Sequence, residues 1–87
     1  MEFIISKHCK EQMQLRNISE KIVFKVLNAP EQIIKENDSI MVYQTIIISE
    51  NNERHLFRIF VNASKQSNLV ITVYRTSKID KYYENKI

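Results

Sequence analysis

Residues able to bind a phosphate or a nucleic-acid base are concentrated near the end of the chain, in the segment VYRTSKIDKYY at residues 73–83. An apolar run is followed there directly by Arg75, Thr76 and Lys78, and then by Lys81 and two tyrosines. Guanidinium groups bind phosphate oxygens in pairs, and tyrosine rings stack on unpaired bases. The segment therefore predicts an anion-binding site, although the same residues are also typical of a solvated strand end.

The distribution of charge also indicates an anionic partner. The chain has a net charge of +3, and residues 1–44 contain six cations and six anions. Residues 45–87 contain seven cations and four anions, so the whole excess lies in the second half. Such a basic half favours nucleic acid or an acidic protein as partner, and ordinary surface charge is the alternative.

Composition excludes several classes of protein. The chain has 87 residues and no glycine, which excludes the glycine-rich loops that bind ATP or dinucleotides. Its single cysteine, Cys9, cannot form an intrachain disulfide, as is typical of a reducing compartment. The apolar runs are far shorter than a membrane span, and no basic leader precedes them. We therefore expect a cytoplasmic, soluble protein without a membrane partner.

Hydrophobic periodicity predicts two helices followed by four strands. Ser6 is suited to cap a helix running to about Arg16, and Ser19 a second helix that stops at residues 28–30, where a proline stands. The strands are expected at Gln32–Lys35, Ile40–Ser49, Arg54–Val61 and Leu69–Thr76. The remaining segments are a possible first strand at Glu2–Ile5, a polar loop at Asn62–Asn68 and a terminal helix at Lys78–Asn85. We predict one α+β domain over residues 1–87, with two helices packed on a four-stranded antiparallel sheet.

Alternation within the last two strands separates a core face from a polar face. The expected core residues are Phe57, Ile59, Val61, Leu69, Ile71 and Val73, and Arg75 falls on the same side of its strand as the last three. The second face is expected to present Arg54, Arg58, Thr72, Tyr74 and Thr76 together. A face that combines cations and hydroxyl groups fits a nucleic-acid backbone.

The first helix and the third strand add further candidates. Helical geometry places Arg16 about 80° from His8 on the apolar side of the helix. Arg16 either extends to solvent beyond the last buried turn, or points with His8 toward the sheet edge and lines a phosphate site. His55, beside Arg54, is either a hydrogen-bonded boundary residue or a catalyst. His8, Cys9 and His55 are too few and too badly spaced to bind a metal, so we expect neither a metal nor a cofactor.

Three groups of motifs resemble a known family. They are HxxxxMxxRxIS at residues 8–19, VLxxPE at residues 26–31 and VxTVYxTSKIxKY at residues 70–82. Together with Val42-Tyr43 and Leu56-Phe57-Arg58 between them, these motifs are similar to a family of small, uncharacterised bacterial domains grouped with the RelE/ParE toxin superfamily. The resemblance implies a RelE-like fold, with two helices against a four-stranded antiparallel sheet.

The resemblance also implies a function. Many RelE-like proteins are toxins of bacterial toxin–antitoxin pairs that cleave mRNA, often on the ribosome. We therefore expect a metal-independent endoribonuclease whose partners are a cognate antitoxin and mRNA. In such a reaction a base removes the proton of the ribose 2′-hydroxyl, and that oxygen attacks the adjacent phosphorus. Cations stabilise the charge that develops on the phosphate, and an acid protonates the departing 5′-oxygen.

Carried over to this chain, the resemblance and the polar face supply two sets of site residues. The candidates for catalysis are His8, Arg58, Tyr74, Arg75 and Lys78, with Arg58 and Arg75 as phosphate clamps and His8 as base or acid. The candidates for RNA binding are Arg16, Arg54, His55, Thr76, Lys81 and Tyr82. A non-catalytic alternative remains open, because ParE-like relatives act on DNA gyrase. A domain that binds a partner through its sheet edge is a third possibility, and the oligomeric state is not predicted.

Overall fold

The computed structural model describes residues 2–64 and 68–84, where two helices precede most of a mixed β-sheet. In chain order the elements are β1 (Ile4–Ile5), α1 (Lys7–Leu15), α2 (Glu20–Asn28), β2 (Gln32–Lys35), β3 (Ile40–Ile48), β4 (Arg54–Asn62), β5 (Leu69–Thr76) and α3 (Ile79–Tyr82). The predicted α+β class is confirmed. The predicted terminal helix is shorter than expected, and its last residue, Asn85, lies outside the described residues, as do residues 65–67 of the predicted polar loop.

The sheet has five strands in the order β1-β5-β4-β3-β2. β2, β3, β4 and β5 pair antiparallel as predicted, whereas β1 pairs parallel with β5 through Ile4 opposite Leu69 and Ile5 opposite Val70. The prediction of a purely antiparallel, four-stranded sheet is therefore wrong. Two residues are too short to show a strand period, so the sequence alone did not indicate this pairing.

Side-chain caps fix where the two long helices begin. The Ser6 hydroxyl accepts a hydrogen bond from the Cys9 amide at 3.0 Å, and the Ser19 hydroxyl accepts one from the Ile22 amide at 3.2 Å. Each cap satisfies an amide that the first helical turn leaves without a partner. Asn17 takes a left-handed conformation between the helices, with φ at 54°, which lets the chain turn sharply into α2. Within the described ranges, no helix combines the length and apolarity that crossing a bilayer requires.

The hydrophobic core lies between the helix pair and one face of the sheet. The helices contribute Cys9, Met13, Val23, Val26 and Leu27, their connection contributes Ile18, and the sheet contributes Phe57, Ile59, Val61, Val70 and Val73. Among the described residues, no long helix packs on the opposite sheet face, and α3, Glu84 and Arg16 are hydrogen-bonded to side chains on that face. Tyr74 and Thr76 are half-buried on this second face and can reach solvent or a ligand, whereas Gln44 is fully buried and Arg58 nearly so.

A β-bulge changes which residues of β5 face the core. Phe60 pairs with Thr72, but the next residue of β4 pairs with Val70, so Ile71 is an additional residue in its strand. Val70 is fully buried in the core, while Ile71 and Leu69 are half-buried and outside the core cluster. The assignment of Leu69 and Ile71 to the core was therefore wrong, because an inserted residue reverses the alternation on its N-terminal side.

Replacement of a core residue should separate core packing from surface effects. We expect Ile59→Ala to lower the free energy of unfolding by about 2–5 kcal/mol, because Ile59 is fully buried and the surrounding side chains refill such a space only partly. Ile48→Ala, at the 61% exposed end of β3, should lower it by less than about 1 kcal/mol. Urea denaturation measures both, and equal losses would contradict this placement of the core.

Candidate anion-binding site

One residue from each of four adjacent strands forms a continuous row across the second sheet face. In the strand register, Gln32 lies opposite Gln44, Gln44 opposite Arg58, and Arg58 opposite Tyr74. Side chains of directly paired residues stand about 5 Å apart on the same face, within reach of one another. We call these four residues the polar row. It places a cation among neutral amides and a phenol in the middle of the sheet.

Arg58 is the centre of the polar row and is only 6% exposed. Its Nε donates to Gln44 Oε1 at 2.9 Å, and its Nη1 donates to Tyr74 Oη at 2.9 Å. Among the residues that the structure describes, no buried side-chain nitrogen or oxygen lacks a hydrogen-bond partner. Arg58 Nη2 donates to no atom of these residues.

Three aromatic rings surround the Arg58 guanidinium. Its central carbon lies 4.4 Å from the ring centre of Tyr82, 5.4 Å from that of Phe60 and 5.9 Å from that of Tyr74. Phe60 and Tyr74 are stacked, and Tyr74 meets Tyr82 edge to face. Ring faces attract a cation, which offsets part of the loss of hydration without cancelling the charge. We call Arg58 with these three rings the aromatic cage.

No carboxylate balances the charge of Arg58 in residues 2–64 and 68–84. The one ion pair found there joins Lys35 to Asp38 at 3.7 Å, and both of these side chains are exposed. A buried charge without a counter-ion is costly, and structures normally provide a carboxylate or a bound anion for it. The aromatic cage therefore presents a positive charge that an anionic ligand would neutralise.

The polar row also anchors the C-terminal segment that carries Tyr82. Gln44 Nε2 donates to the Tyr82 carbonyl at 3.2 Å, and Gln32 Oε1 accepts from the Glu84 amide at 3.0 Å. Gln32 Nε2 also donates to the Glu84 carbonyl. The two glutamine amides thus imitate backbone groups of a sheet edge. They fix the segment that follows β5, and Tyr82 lies over Arg58 as a result.

Tyr82 differs electrostatically from an ordinary tyrosine. Hydrogen bonding from the Lys81 ammonium is the largest effect that lowers the pKa of Tyr82, and the charge of Lys81 adds to it. Burial opposes the shift as the second-largest effect, and a hydrogen bond from the Tyr74 hydroxyl and the charge of Arg58 lower the pKa of Tyr82 further. The Tyr82 phenolate is therefore easier to form here than in a free tyrosine.

Exposed cations continue the site beyond the aromatic cage. Arg54, Lys78 and Lys81 line a surface depression of about 450 Å³ at the start of α3. Lys81 Nζ lies 5.2 Å from the ring centre of Tyr82, which connects the depression to the aromatic cage. Thr76 Oγ1 accepts from the Lys78 amide at 3.0 Å, so this hydroxyl positions the chain entering α3. The structure thus brings these predicted residues to one side of the molecule.

Arg75 lies on the opposite face of the sheet from Arg58. It pairs with Phe57, and its guanidinium carbon lies 5.9 Å from the Phe57 ring centre. Its Nη1 donates to the Asn17 carbonyl at 3.5 Å, and His55 lines the same pocket as Arg75 and Phe57. The structure therefore does not bring the two expected phosphate clamps, Arg58 and Arg75, together, because successive residues of β5 point to opposite faces. Phosphate binding by each of them stays a prediction. The expected set of Arg58, Thr72, Tyr74 and Thr76 on one face is confirmed.

The two candidates from the first helical segment, His8 on α1 and Arg16 directly after it, are separated as well. Arg16 Nη1 donates to the Val73 carbonyl at 2.8 Å and to Thr72 Oγ1 at 3.5 Å, along the part of β5 that β1 leaves unpaired. Of the two orientations left open for Arg16, the structure shows the one toward the sheet edge, but without His8, and phosphate binding by Arg16 stays a prediction. His8 is exposed on a helix that packs against the core face, so the structure does not bring it to the aromatic cage.

The part of the chain described by the structure contains no group of three His, Cys, Asp or Glu side chains able to hold a metal ion. Cys9 is fully buried in the core, and burial raises the pKa of its thiol against a smaller opposite effect of the Arg16 charge. A buried thiol of this kind is a packing group rather than a nucleophile.

Sequence reasoning missed three contributors to the site, namely Gln32, Gln44 and Phe60. Gln44 stands alone as an amide within the apolar strand IMVYQTIII. A fully buried polar residue must satisfy its hydrogen bonds, so its position in that strand was a usable signal. Phe60 follows Arg58 by two residues in β4 and so falls on the same face, but an apolar residue there gave no signal of a role in the site. Only the strand register shows that both residues contact the same guanidinium.

Comparison with known proteins identifies the family. The domain of unknown function DUF4258 matches residues 5–75, which is most of the chain. The chain belongs to the DUF4258 family. This DUF4258 domain has no match among the curated proteins or the solved structures. The matched range contains the whole polar row and ends before α3, so Lys78, Lys81 and Tyr82 lie beyond it.

The acidity of Tyr82 can be tested without a ligand. We expect its phenol to ionise at a lower pH than a free tyrosine, and Lys81→Met to raise its pKa because the main cause of the shift is removed. The control Lys21→Met removes an exposed cation from α2 and should leave the Tyr82 pKa unchanged. Tyrosine absorbance during a pH titration measures both, with Tyr82→Phe identifying the signal. An equal Tyr82 pKa in Lys81→Met and in the unmodified domain would contradict the assignment of this shift to Lys81.

Proposed function

We propose that this DUF4258 domain is a metal-independent endoribonuclease that binds the RNA backbone at Arg58 and acts as the toxin of a bacterial toxin–antitoxin pair. The observation that carries the proposal is a nearly buried guanidinium that, within the described residues, has no carboxylate partner and one nitrogen without a hydrogen bond. Phosphate is the ligand that best matches a guanidinium in charge and geometry.

Electrostatics explains why such a cation would accelerate cleavage. Negative charge accumulates on the non-bridging phosphate oxygens as the 2′-oxygen attacks. A fixed donor in a site that largely excludes water stabilises that charge, typically by about 3–4 kcal/mol for one well-placed group. Arg58 is held by Gln44, Tyr74 and the aromatic cage before any ligand arrives, so little reorganisation is needed.

The surroundings of Arg58 favour single-stranded RNA as the anion. Tyr82 and Tyr74 are only half-buried and can present ring surface to an unpaired base. Arg54, Lys78 and Lys81 lie where the backbone would continue beyond the bound phosphate. Attack by a 2′-hydroxyl further restricts the reaction to RNA, because DNA has no such group.

Tyr82 is the residue best suited to act as the base. Its lowered pKa makes the phenolate accessible, and it lies against Arg58, where the reacting phosphate would bind. The phenolate takes the 2′-hydroxyl proton, the 2′-oxygen bonds to phosphorus, and the bond from phosphorus to the 5′-oxygen breaks. An ammonium at the start of α3, on Lys78 or Lys81, donates a proton to that oxygen. The products are a 2′,3′-cyclic phosphate and a 5′-hydroxyl.

The cellular role in the proposal rests on the RelE/ParE resemblance of the motifs at residues 8–19, 26–31 and 70–82. It implies a cytoplasmic toxin that acts on mRNA and a cognate antitoxin that silences it. A mixed α+β fold with helices on one sheet face and basic residues near the end of the chain is compatible with this role.

A second candidate is a binding module without turnover, directed at nucleic acid or at a protein such as gyrase. One observation favours it, since both histidines lie away from the aromatic cage and no group with an ordinary pKa near neutrality stands beside Arg58. In this alternative the aromatic cage binds a phosphate or a carboxylate, and no bond is broken.

The phosphate role of Arg58 is tested against Arg75. We expect Arg58→Met to abolish RNA cleavage and to relieve growth arrest on expression, because the charge at the aromatic cage is lost. Arg75→Met removes the same charge from the opposite sheet face, and this variant should still cleave RNA and still arrest growth. Growth curves, product analysis and circular dichroism of the purified variants measure the outcome. Equal loss in both variants would contradict the site, and cleavage that strictly requires magnesium would contradict the mechanism.

The role of Tyr82 is tested by removing only its hydroxyl. Tyr82→Phe keeps the ring over Arg58, so we expect RNA affinity to stay nearly constant while the cleavage rate falls by about 10²–10⁴-fold. Tyr83→Phe is the matched control, because burial and Glu31 raise the pKa of Tyr83 and make it a poor base. Single-turnover cleavage of a short RNA gives both rates. An unchanged rate in Tyr82→Phe would exclude Tyr82 as base, and binding without any cleavage by the unmodified domain would favour the second candidate.

A further inference from the structure

The buried amide of Gln44 has only one orientation that satisfies its neighbours. Its Oε1 accepts from Arg58 Nε at 2.9 Å, and its Nε2 donates to Gln32 Oε1 at 2.8 Å and to the Tyr82 carbonyl at 3.2 Å. A reversed amide would oppose the Arg58 donor with another donor and place an oxygen against two acceptors. The network therefore fixes Gln44, and Gln44 fixes both Arg58 and the chain at Tyr82.

The neutrality of Gln44 is as important as its position. A glutamate has the same length and would also accept from Arg58 Nε, but its carboxylate would neutralise the guanidinium in a buried ion pair. A methionine would fill the space and leave the Arg58 Nε without a partner. Among these three side chains, only an amide satisfies the hydrogen bond and preserves the positive charge.

We propose that Gln44 is a positioning residue that holds Arg58 and Tyr82 in phosphate-binding geometry while leaving the guanidinium charge uncompensated. This inference rests on the proposed function, since it concerns the binding of RNA at the same aromatic cage. It assigns to a fully buried residue of β3 the control of the site's charge. Gln44 itself contacts no substrate and acts through Arg58 and through the Tyr82 carbonyl.

Two substitutions at position 44 separate charge from position. Gln44→Glu and Gln44→Met both remove the amide hydrogens that bind Gln32 and Tyr82, but only the first adds a negative charge beside Arg58. The control Gln14→Glu makes the same chemical change on the exposed side of α1, with the same change in net charge. The probe is a fluorescent single-stranded RNA with 2′-O-methyl riboses, which binds without being cleaved.

We expect the affinity for this RNA to fall about ten-fold in Gln44→Met, because Arg58 and Tyr82 are no longer held in position. In Gln44→Glu it should fall about hundred-fold, because the new carboxylate also neutralises the Arg58 guanidinium. The slope of log affinity against log salt should become smaller by about 0.7 in Gln44→Glu, because one phosphate contact is lost. Gln14→Glu should stay within about two-fold of the unmodified domain, as expected for a distant surface charge. Equal affinities of the two position-44 variants would overturn the charge role. An RNA affinity of Gln44→Met equal to that of the unmodified domain would overturn the positioning role.

A measurement without RNA distinguishes failure of this inference from failure of the proposed function. The charge of Arg58, the Tyr74 hydroxyl and Lys81 all lower the pKa of Tyr82. Gln44→Glu should therefore raise the pKa of Tyr82 in a tyrosine absorbance titration, whereas Gln14→Glu should not. If the unmodified domain binds no RNA, the proposed function fails, and this titration still decides whether position 44 sets the charge at Arg58. An unchanged Tyr82 pKa in folded Gln44→Glu would overturn the inference.

Gln32→Glu keeps the test decisive if both position-44 variants unfold. Gln32 is half-buried in the edge strand β2, where a carboxylate can still accept from Gln44 and from the Glu84 amide. The negative charge introduced at position 32 lies one strand further from Arg58 than a charge at position 44 would. RNA affinity should therefore fall more than in Gln14→Glu, and affinity equal to that control would overturn the inference.

Discussion

The structure of the site depends on one constraint, a positive charge that is nearly buried and bonded only to neutral groups of the described residues. Arg58 is hydrogen-bonded to an amide oxygen and a phenol oxygen, and three aromatic rings surround it. These neutral groups take the place of water around the guanidinium but carry no negative charge. The positive potential of Arg58 can therefore still attract an anion. A small domain retains little surplus stability, and such an arrangement is costly unless an anion uses it.

Strand register is what assembles the polar row and the aromatic cage. Four strands align Gln32, Gln44, Arg58 and Tyr74 side by side, while the residues that alternate with them form the opposite, hydrophobic face. A shift of one residue in any strand would move its contribution into the core. The two glutamines then bind the backbone after β5 and place Tyr82 over the cation. The same hydrogen bonds therefore support the fold and orient the site.

Much of the fold could be predicted from local signals, and the site only in part. Serine caps, a proline stop and apolar periodicity predicted both long helices and β2–β5, and alternation correctly placed Arg58 with Tyr74. The parallel pairing of Ile4 and Ile5 and the bulge at Ile71 depend on contacts between distant segments, which no local pattern reports. Arg75 was expected to be a phosphate clamp from its residue type and the family resemblance, although alternation had already put it on the core side. Gln44 was missed because its role exists only across the strands.

The most direct test of the central claim is a two-dimensional NMR titration of guanidinium and amide resonances with the uncleavable 2′-O-methyl RNA. The account predicts that the Arg58 Nε–H signal shifts most, together with the amides of Tyr74 and Tyr82 on the same face. Signals of α1, α2 and the Arg75 guanidinium should move little, because they lie on the other side of the sheet. Shifts concentrated on the helices or on Arg75, with Arg58 unchanged, would contradict the claim that the buried cation is the binding centre.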